Sequence, residues 1–272
     1  MNPRGFTSAF PWLMLSLALL LACGEPVATP EPIFLQAAGS TAMSPLVTQL
    51  AAAFHDQSPL VSLEVAGLGT RFGLEALDRG EVDMALASWL PADLNPDWRA
   101  AAIARDGIAI IVHPSNRVDG LGLLQLQDLY SGRIREWSEA GGRVSQGSVQ
   151  PVSREEGSGT RVAFESLVMG DREVTPLAIV ALSSAAVVEY VAEHPNAIGY
   201  VSMSYLSPEV KVLKIEGELP EPETAGQASY PLTRELWLVT VDPPPEAVHG
   251  FIRFALSPAG QQIVGQEHGR IK

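Results

Sequence analysis

Three short segments place hydroxyls and glycines where an extended run gives way to a helical one. Ala38-Gly39-Ser40-Thr41-Ala42 precedes a helical stretch that opens at Ser44, and Gly67-Leu68-Gly69-Thr70-Arg71-Phe72-Gly73 follows an alternating strand. Arg154-Glu155-Glu156-Gly157-Ser158-Gly159-Thr160-Arg161 follows the apolar Val149-Gln150-Pro151-Val152. A helix start has unpaired N–H groups and about half a positive charge, so it attracts anions. Glycine lets a ligand come close to the main chain, and serine or threonine adds a rotatable donor. Arg154 can add a two-pronged guanidinium. Helix capping alone explains any one of these segments. Three of them on one chain, one with an arginine four residues before its serine, predict convergence on a shared anion.

Other chemistries fit less well. Gly67, Gly69 and Gly73 form G-x-G-x-x-x-G, one residue longer than the dinucleotide fingerprint. Ser158 sits in Glu-Gly-Ser-Gly-Thr and lacks the nucleophile elbow of hydrolases. His55, His113, His194, His249 and His268 are scattered without metal-ligand spacing. The sequence therefore predicts binding without catalysis, with no cofactor and no metal.

The elements that must position these segments alternate between short apolar runs and amphipathic stretches, the rhythm of an α/β fold. Strands are expected at Ile33–Ala37, Val61–Val65, Met84–Ala87, Ile108–His113, Ala197–Val201, Val210–Ile215 and Glu235–Val241. Helices are expected at Ser44–Gln57, with Leu46, Val47, Leu50 and Phe54 on one stripe, and at Gly73–Arg79. Further helices are expected at Asp128–Tyr130, Arg161–Val168, Ser184–Glu193, Pro245–Leu256 and Ala259–Gln266. Glu216–Ser229, rich in Pro, Gly and Glu, reads as a loop.

With 272 residues, 46% hydrophobic and 18% charged, the chain can bury a core and is no disordered tail. Its net charge of −13 argues against nucleic acid or an anionic membrane surface as partner. A small anion stays possible, because local donors in a buried pocket outweigh distant surface charge. Residues 1–22 read as a signal peptide, with Arg4 before the apolar Trp12–Leu21 run. That run is shorter than the roughly 20 residues of a spanning helix. It leads into Leu20-Leu21-Ala22-Cys23-Gly24, which resembles a bacterial lipoprotein cleavage site, and Cys23 is the only cysteine. Residues 23–32, with three prolines, predict an extended tether of roughly 25–30 Å. The expected location is thus outside the cytoplasm, on a bacterial membrane and held by lipid alone.

Several motifs in order carry a resemblance. They are Ala38-Gly39-Ser40-Thr41, Val82–Ser88, Asp106–Val112, Gly132–Trp137, Arg154–Thr160, Ala197–Tyr200 and Tyr230–Arg234. From about Leu35 to Gly269 the chain resembles the phosphate-binding solute receptors of bacterial phosphate ABC transporters. Those receptors have the periplasmic-binding-protein fold of type II. The resemblance implies two α/β lobes, each a sheet flanked by helices, closing on phosphate in the cleft between them. Lobe 1 would comprise residues 33–113 and 231–272 and lobe 2 residues 114–230, with crossovers at Ile108–His113 and Leu232–Val241. It also implies the ligand set: Thr41 by hydroxyl and N–H, the Ala42 N–H, Thr70, and from the other lobe Arg154, Ser158, Gly159 and Thr160. Its partners would be inorganic phosphate and the permease of an ABC importer, and the receptor would act as a monomer.

Two positions depart from that pattern. Trp89 stands where the family has an aspartate that accepts the proton of phosphate, and an indole only donates. Discrimination against sulfate then rests on Glu155, Glu156 or Asp106, or is weak. Arg71 stands where a small residue is usual; it either reaches the anion or is a solvated charge. The alternative readings are a receptor for another tetrahedral oxyanion (sulfate, arsenate or molybdate) and a sensory lipoprotein with the same fold.

Overall fold

Apolar residues set the first strand, β1 (Ile33–Gly39), against the core through Leu35, Ala37 and Ala38. The computed structural model describes Met1, residues 31–141 and residues 147–271. The signal segment and Cys23 fall outside the described residues. After β1 come α1 (Ser44–Gln57), β2 (Val61–Gly67), α2 (Thr70–Asp78), β3 (Met84–Ala87) and β4 (Trp98–Val112). Then follow β5 (Gly120–Leu121), α3 (Leu123–Tyr130), β6 (Gln150–Arg154) and α4 (Gly159–Phe164), which runs into a π-helical turn, Glu165–Met169. Next are β7 (Ile179–Ala181), α5 (Ser184–Glu193), β8 (Ala197–Ser202) and a 3₁₀ turn, Met203–Tyr205. The chain closes with β9 (Lys211–Val212), β10 (Lys214–Ile215), α6 (Pro222–Gly226), β11 (Thr233–Val241), α7 (Glu246–Ala255) and α8 (Pro258–Glu267).

The strands follow one path, β2-β1-β3-β11-β4-β8-β6-β7, with β9 also on β4; β5 and β10 pair separately. Strands β2, β1 and β3 are parallel, β11 runs against β3 and β4, and β6 is parallel to both β7 and β8. One core joins α1, α7 and α8 to the first half of the sheet through Leu46, Leu50, Phe54, Phe251 and Val264. The expected α1 stripe is buried as read from the spacing. Two further cores fill the second half, one around Tyr130, Trp137, Phe164 and Tyr200, the other around Val187 and Val191 on α5. Each fully buried Leu or Phe of this kind contributes about 1.5–3 kcal/mol.

Strand β4 joins the halves. Its residues up to Gly107 pair with β11, whereas Ile108–Val112 pair with β8. The expected crossovers, Ile108–His113 and Leu232–Val241, therefore shift. The first passes between Gly107 and Ile108 within one 15-residue strand. The second passes at Leu232, whose carbonyl accepts the Ile108 N–H at 2.8 Å, while Thr233–Val241 stays in the first half. Charged Arg99, Arg105 and Asp106 hide the front of β4 in the sequence. Arg105 is satisfied there by two backbone bonds with Gly269, and its Nη1 donates to the Gly226 carbonyl at 2.7 Å.

Other boundaries also move. Helix α2 starts at Thr70 rather than Gly73, because Gly69 at φ 97° turns the chain directly into it. Gly73 then lets α2 lie on β1: a Cβ there would come within 2.4 Å of the Ala38 carbonyl oxygen. Helices α3 and α4 begin earlier than expected, and Val210–Ile215 divides into β9 and β10, which serve different sheets. The expected loop Glu216–Ser229 contains the short α6, opened by Pro222.

Candidate anion-binding site

Parallel strands β1, β2 and β3 present their C-terminal ends at one edge, where ligands of open α/β sheets collect. Gly39 leads β1 into Ser40-Thr41-Ala42-Met43 before α1, Gly69 leads β2 into Thr70, and Ser88 follows β3 directly. From the second half, β6 ends on Arg154 and passes through Glu155-Glu156-Gly157-Ser158 into α4. Ser158 caps α4 by accepting the Arg161 N–H at 3.3 Å. Its hydroxyl is thus occupied as a cap, although its oxygen keeps a proton to donate.

The structure brings the two sets of turns together. Arg154 Nη2 donates to Thr41 Oγ1 at 3.3 Å across the halves. Gly159 packs on Thr70 and Ser88 so closely that a Cβ would sit 2.4 Å from each hydroxyl oxygen. The Arg71 N–H donates to the Gly157 carbonyl at 3.3 Å. Ser40 Oγ donates to Ser88 Oγ at 2.9 Å, Ser88 Oγ lies 3.3 Å from Thr70 Oγ1, and the Ser88 N–H donates to the same Thr70 oxygen at 3.3 Å. Thr70, Ser88, Ser158 and Thr160 are all buried. The main-chain N–H groups of Thr41, Ala42, Thr70, Gly159 and Thr160 donate to no acceptor among the described residues. Ala42, Thr70, Gly159 and Thr160 are buried and Thr41 half-buried; buried N–H groups are rarely left so, and five along one seam form a ready cradle for oxygen atoms of an anion.

Arg154 is 1% exposed and held from several sides. Its Nε and Nη2 donate to the two oxygens of Glu155, each at 2.8 Å, and Nη1 donates to Ser184 Oγ at 3.1 Å. The side-on prong of the guanidinium is therefore taken by Glu155, and its end faces the hydroxyls of Thr41 and Ser184. Behind it, the Tyr200 hydroxyl accepts the Arg154 N–H at 3.2 Å and pairs with Ser153 Oγ at 2.9 Å. The Tyr200 ring stacks on Phe164 with centroids 4.1 Å apart. Burial pushes the Tyr200 phenol up to about 12, partly opposed by Ser153, so it stays a neutral support at ordinary pH.

Three expectations find a definite place. Arg71 does not reach the seam's interior: it is about half exposed and pairs with Glu156, itself 82% exposed, across the rim. Trp89 lines a cleft of about 390 Å³ beside α2, with Arg71, Leu74, Pro91 and Trp98. Asp106 is fully buried at the crossing of β4, where it accepts from Arg234, Ser202 and Met203. Among the described residues no group of His, Cys, Asp and Glu has the arrangement of a metal site. Ser88, Ser184 and Tyr205 stand at the seam without having been singled out by the spacing, and Ser40 and Glu155 lay in the hydroxyl- and glycine-rich segments but outside the expected ligand set. Ser88 had a signal, standing at the end of the apolar Met84–Ala87 run. Ser184 had none, since it starts a helix 30 residues after Arg154.

A family profile described as the PBP superfamily domain matches residues 26–259. The chain belongs to this superfamily. Its two halves, each flanked by helices along one continuous strand path, correspond to the two lobes expected of this fold. Among curated proteins it is 30% identical over 202 residues to the phosphate-binding protein PstS of Bacillus subtilis, a match over 71% of this chain. The chain spans 65% of that relative's length. Among solved structures it resembles a phosphate ABC transporter substrate-binding protein of Clostridium perfringens with bound phosphate: 34% identity, TM-score 0.84, 88% of this chain and 100% of that one. An ABC-type phosphate transport receptor from Vibrio cholerae is 28% identical with a TM-score of 0.72, covering 88% of this chain and 99% of that one.

Proposed function

We propose that this PBP-superfamily protein captures inorganic phosphate between its lobes and delivers it to an ABC importer. The observation that carries the reading is the meeting of Arg154 with Thr41 across the lobes, beside five amides that have no acceptor among the described residues. The names of the Bacillus, Clostridium and Vibrio relatives support phosphate as the anion. Thr41, Ala42, Thr70, Arg154, Ser158, Gly159 and Thr160 are the proposed ligands, with Ser88 and Ser184 supporting them; Arg71 acts at the rim. The proposed lobes are residues 33–113 with 231–272, and residues 114–230. Binding rests on charge-assisted bonds of about 1.5–3 kcal/mol each, opposed by desolvation of the anion and its loss of freedom. The protein works as a monomer outside the cytoplasm, tethered through lipid on Cys23. Among the described residues no helix is long and apolar enough to cross a membrane.

Calorimetric titration with phosphate tests the reading. Binding in the protein and a loss of at least about tenfold in Arg154→Ala are expected, since a charged hydrogen bond is removed. An unchanged titration in the variant would discard the site.

A second reading, a receptor for sulfate or another tetrahedral oxyanion, has its own observation. The three carboxylates named as possible acceptors each pair with an arginine: Glu155 with Arg154, Glu156 with Arg71, Asp106 with Arg234. Glu155 and Asp106 have both oxygens engaged, and Glu156, engaged through Oε1 alone, stands at the exposed rim. Competition between sulfate and phosphate across pH 5–8 separates the two.

A further inference from the structure

We infer that Tyr205 is a positioning residue that aims the Ala42 N–H and straps the lobes together; as a statement about the anion, this rests on the proposed function above. Tyr205 ends the 3₁₀ turn that follows β8 in the second lobe. Its hydroxyl donates to the Thr41 carbonyl oxygen at 2.8 Å, joining residues 164 positions apart. A trans peptide is planar, with its C=O and N–H pointing to opposite sides. Fixing the Thr41 carbonyl on Tyr205 therefore fixes the Ala42 N–H in the opposite direction. That N–H has no acceptor among the described residues, and Ala42 is fully buried. The same residue, Thr41, meets Arg154 through its side chain. Thr41 is thus gripped twice from the second lobe, once through its hydroxyl and once through its carbonyl.

The other end of the turn is held at the crossing between lobes. Ser202 Oγ and the Met203 N–H both donate to Asp106 Oδ1, at 2.7 and 3.3 Å. A three-residue turn thus runs from the crossing point of β4 to the anion-facing loop, with hydrogen bonds at both ends. Such a strap reports lobe position to the loop directly. The phenol is a pure donor here, so Tyr205 touches Thr41 and acts on the anion only through the peptide it orients.

The test uses the full chain and Tyr205→Phe, which removes one oxygen atom. Stopped-flow binding of inorganic phosphate, followed by tryptophan fluorescence, is expected to show affinity reduced about three- to tenfold, most of it as faster dissociation. Small-angle scattering of the anion-free proteins is expected to show a larger radius of gyration for the variant. A fall in thermal midpoint with dissociation rate and radius unchanged would assign the hydroxyl a merely structural role and overturn the inference. If the unaltered protein bound no phosphate, the proposed function would fall, while scattering alone would still decide the strap: equal radii would refute it, and a larger variant would uphold it.

Discussion

Two buried arginines, Arg154 in the seam between the lobes and Arg234 at their crossing, are 1% and 8% exposed yet hold opposite kinds of environment. Arg234 gives Nε and Nη2 to one oxygen of Asp106, at 2.9 and 2.7 Å, and the other oxygen is taken by Ser202 and Met203. Every acceptor position of that carboxylate is filled from fixed groups. Burial pulls the Arg234 guanidinium below its ordinary range, with Asp106 opposing the shift. His268, also buried, has neither ring nitrogen partnered among the described residues, and burial lowers its pKa while Asp106 opposes. Arg154 instead meets a partly exposed Glu155 and two hydroxyls able to turn, beside amides that lack acceptors among the described residues. Burial of a cation does not mark a binding site. Arg234 Nη1 and both His268 nitrogens also lack partners among the described residues; Arg154 differs in facing the opposite half of the molecule across turns whose main-chain amides have no acceptor there.

The largest effect that could break this contrast lies at the crossing. Asp106→Asn leaves Arg234 without a counter-charge in a dry place and is expected to cost about 3–5 kcal/mol of stability by urea unfolding. Arg154→Ala is expected to cost well under that, because Glu155 can turn to water. Equal losses would end the distinction. The paired change Asp106→Leu with Arg234→Met is expected to recover most of the loss, as apolar replacements of buried ion pairs do.

A middle-sized effect sharpens the seam. Gly159→Ala places a methyl 2.4 Å from the hydroxyl oxygens of Thr70 and Ser88. Overpacking of this kind costs about 1–3 kcal/mol, so anion affinity is expected to fall by about ten- to a hundredfold in titration while the unliganded fold persists. Retained affinity would mean that the lobes need not approach this closely.

The smallest effect is at the rim. Arg71 and Glu156 form an exposed pair between the lobes. Glu156→Gln is expected to change affinity by less than about threefold at low salt, and by nothing measurable at about 1 M, where the Debye length is about 3 Å. A large, salt-insensitive loss would move Arg71 from the rim into the site.

The legible part of the molecule follows from local pattern. The α1 stripe, the short β3 run and the three hydroxyl-rich turns were readable because side-chain period and glycine placement are properties of adjacent residues. The front of β4 was not, because Arg105 and Asp106 look like a surface segment until Gly269, Gly226 and Arg234 meet them from distant parts of the chain. Arg71 and Asp106 show the same limit at the site. Their types permit several roles, and only the tertiary structure supplies their partners, Glu156 and Arg234.

By itself, the sequence determined an α/β chain with helix starts rich in donors, and an arginine well placed to join them. It did so because the hydroxyls, glycines and period of each turn are written within a few residues. The tertiary structure alone decided that Arg154 faces Thr41, that Glu155 takes its side-on prong, and that Tyr205 reaches back over 164 residues to the same loop. Those contacts join separate lobes. They depend on how the two halves of the strand path are set about β4 and the second crossing at Leu232, and no local pattern encodes that arrangement.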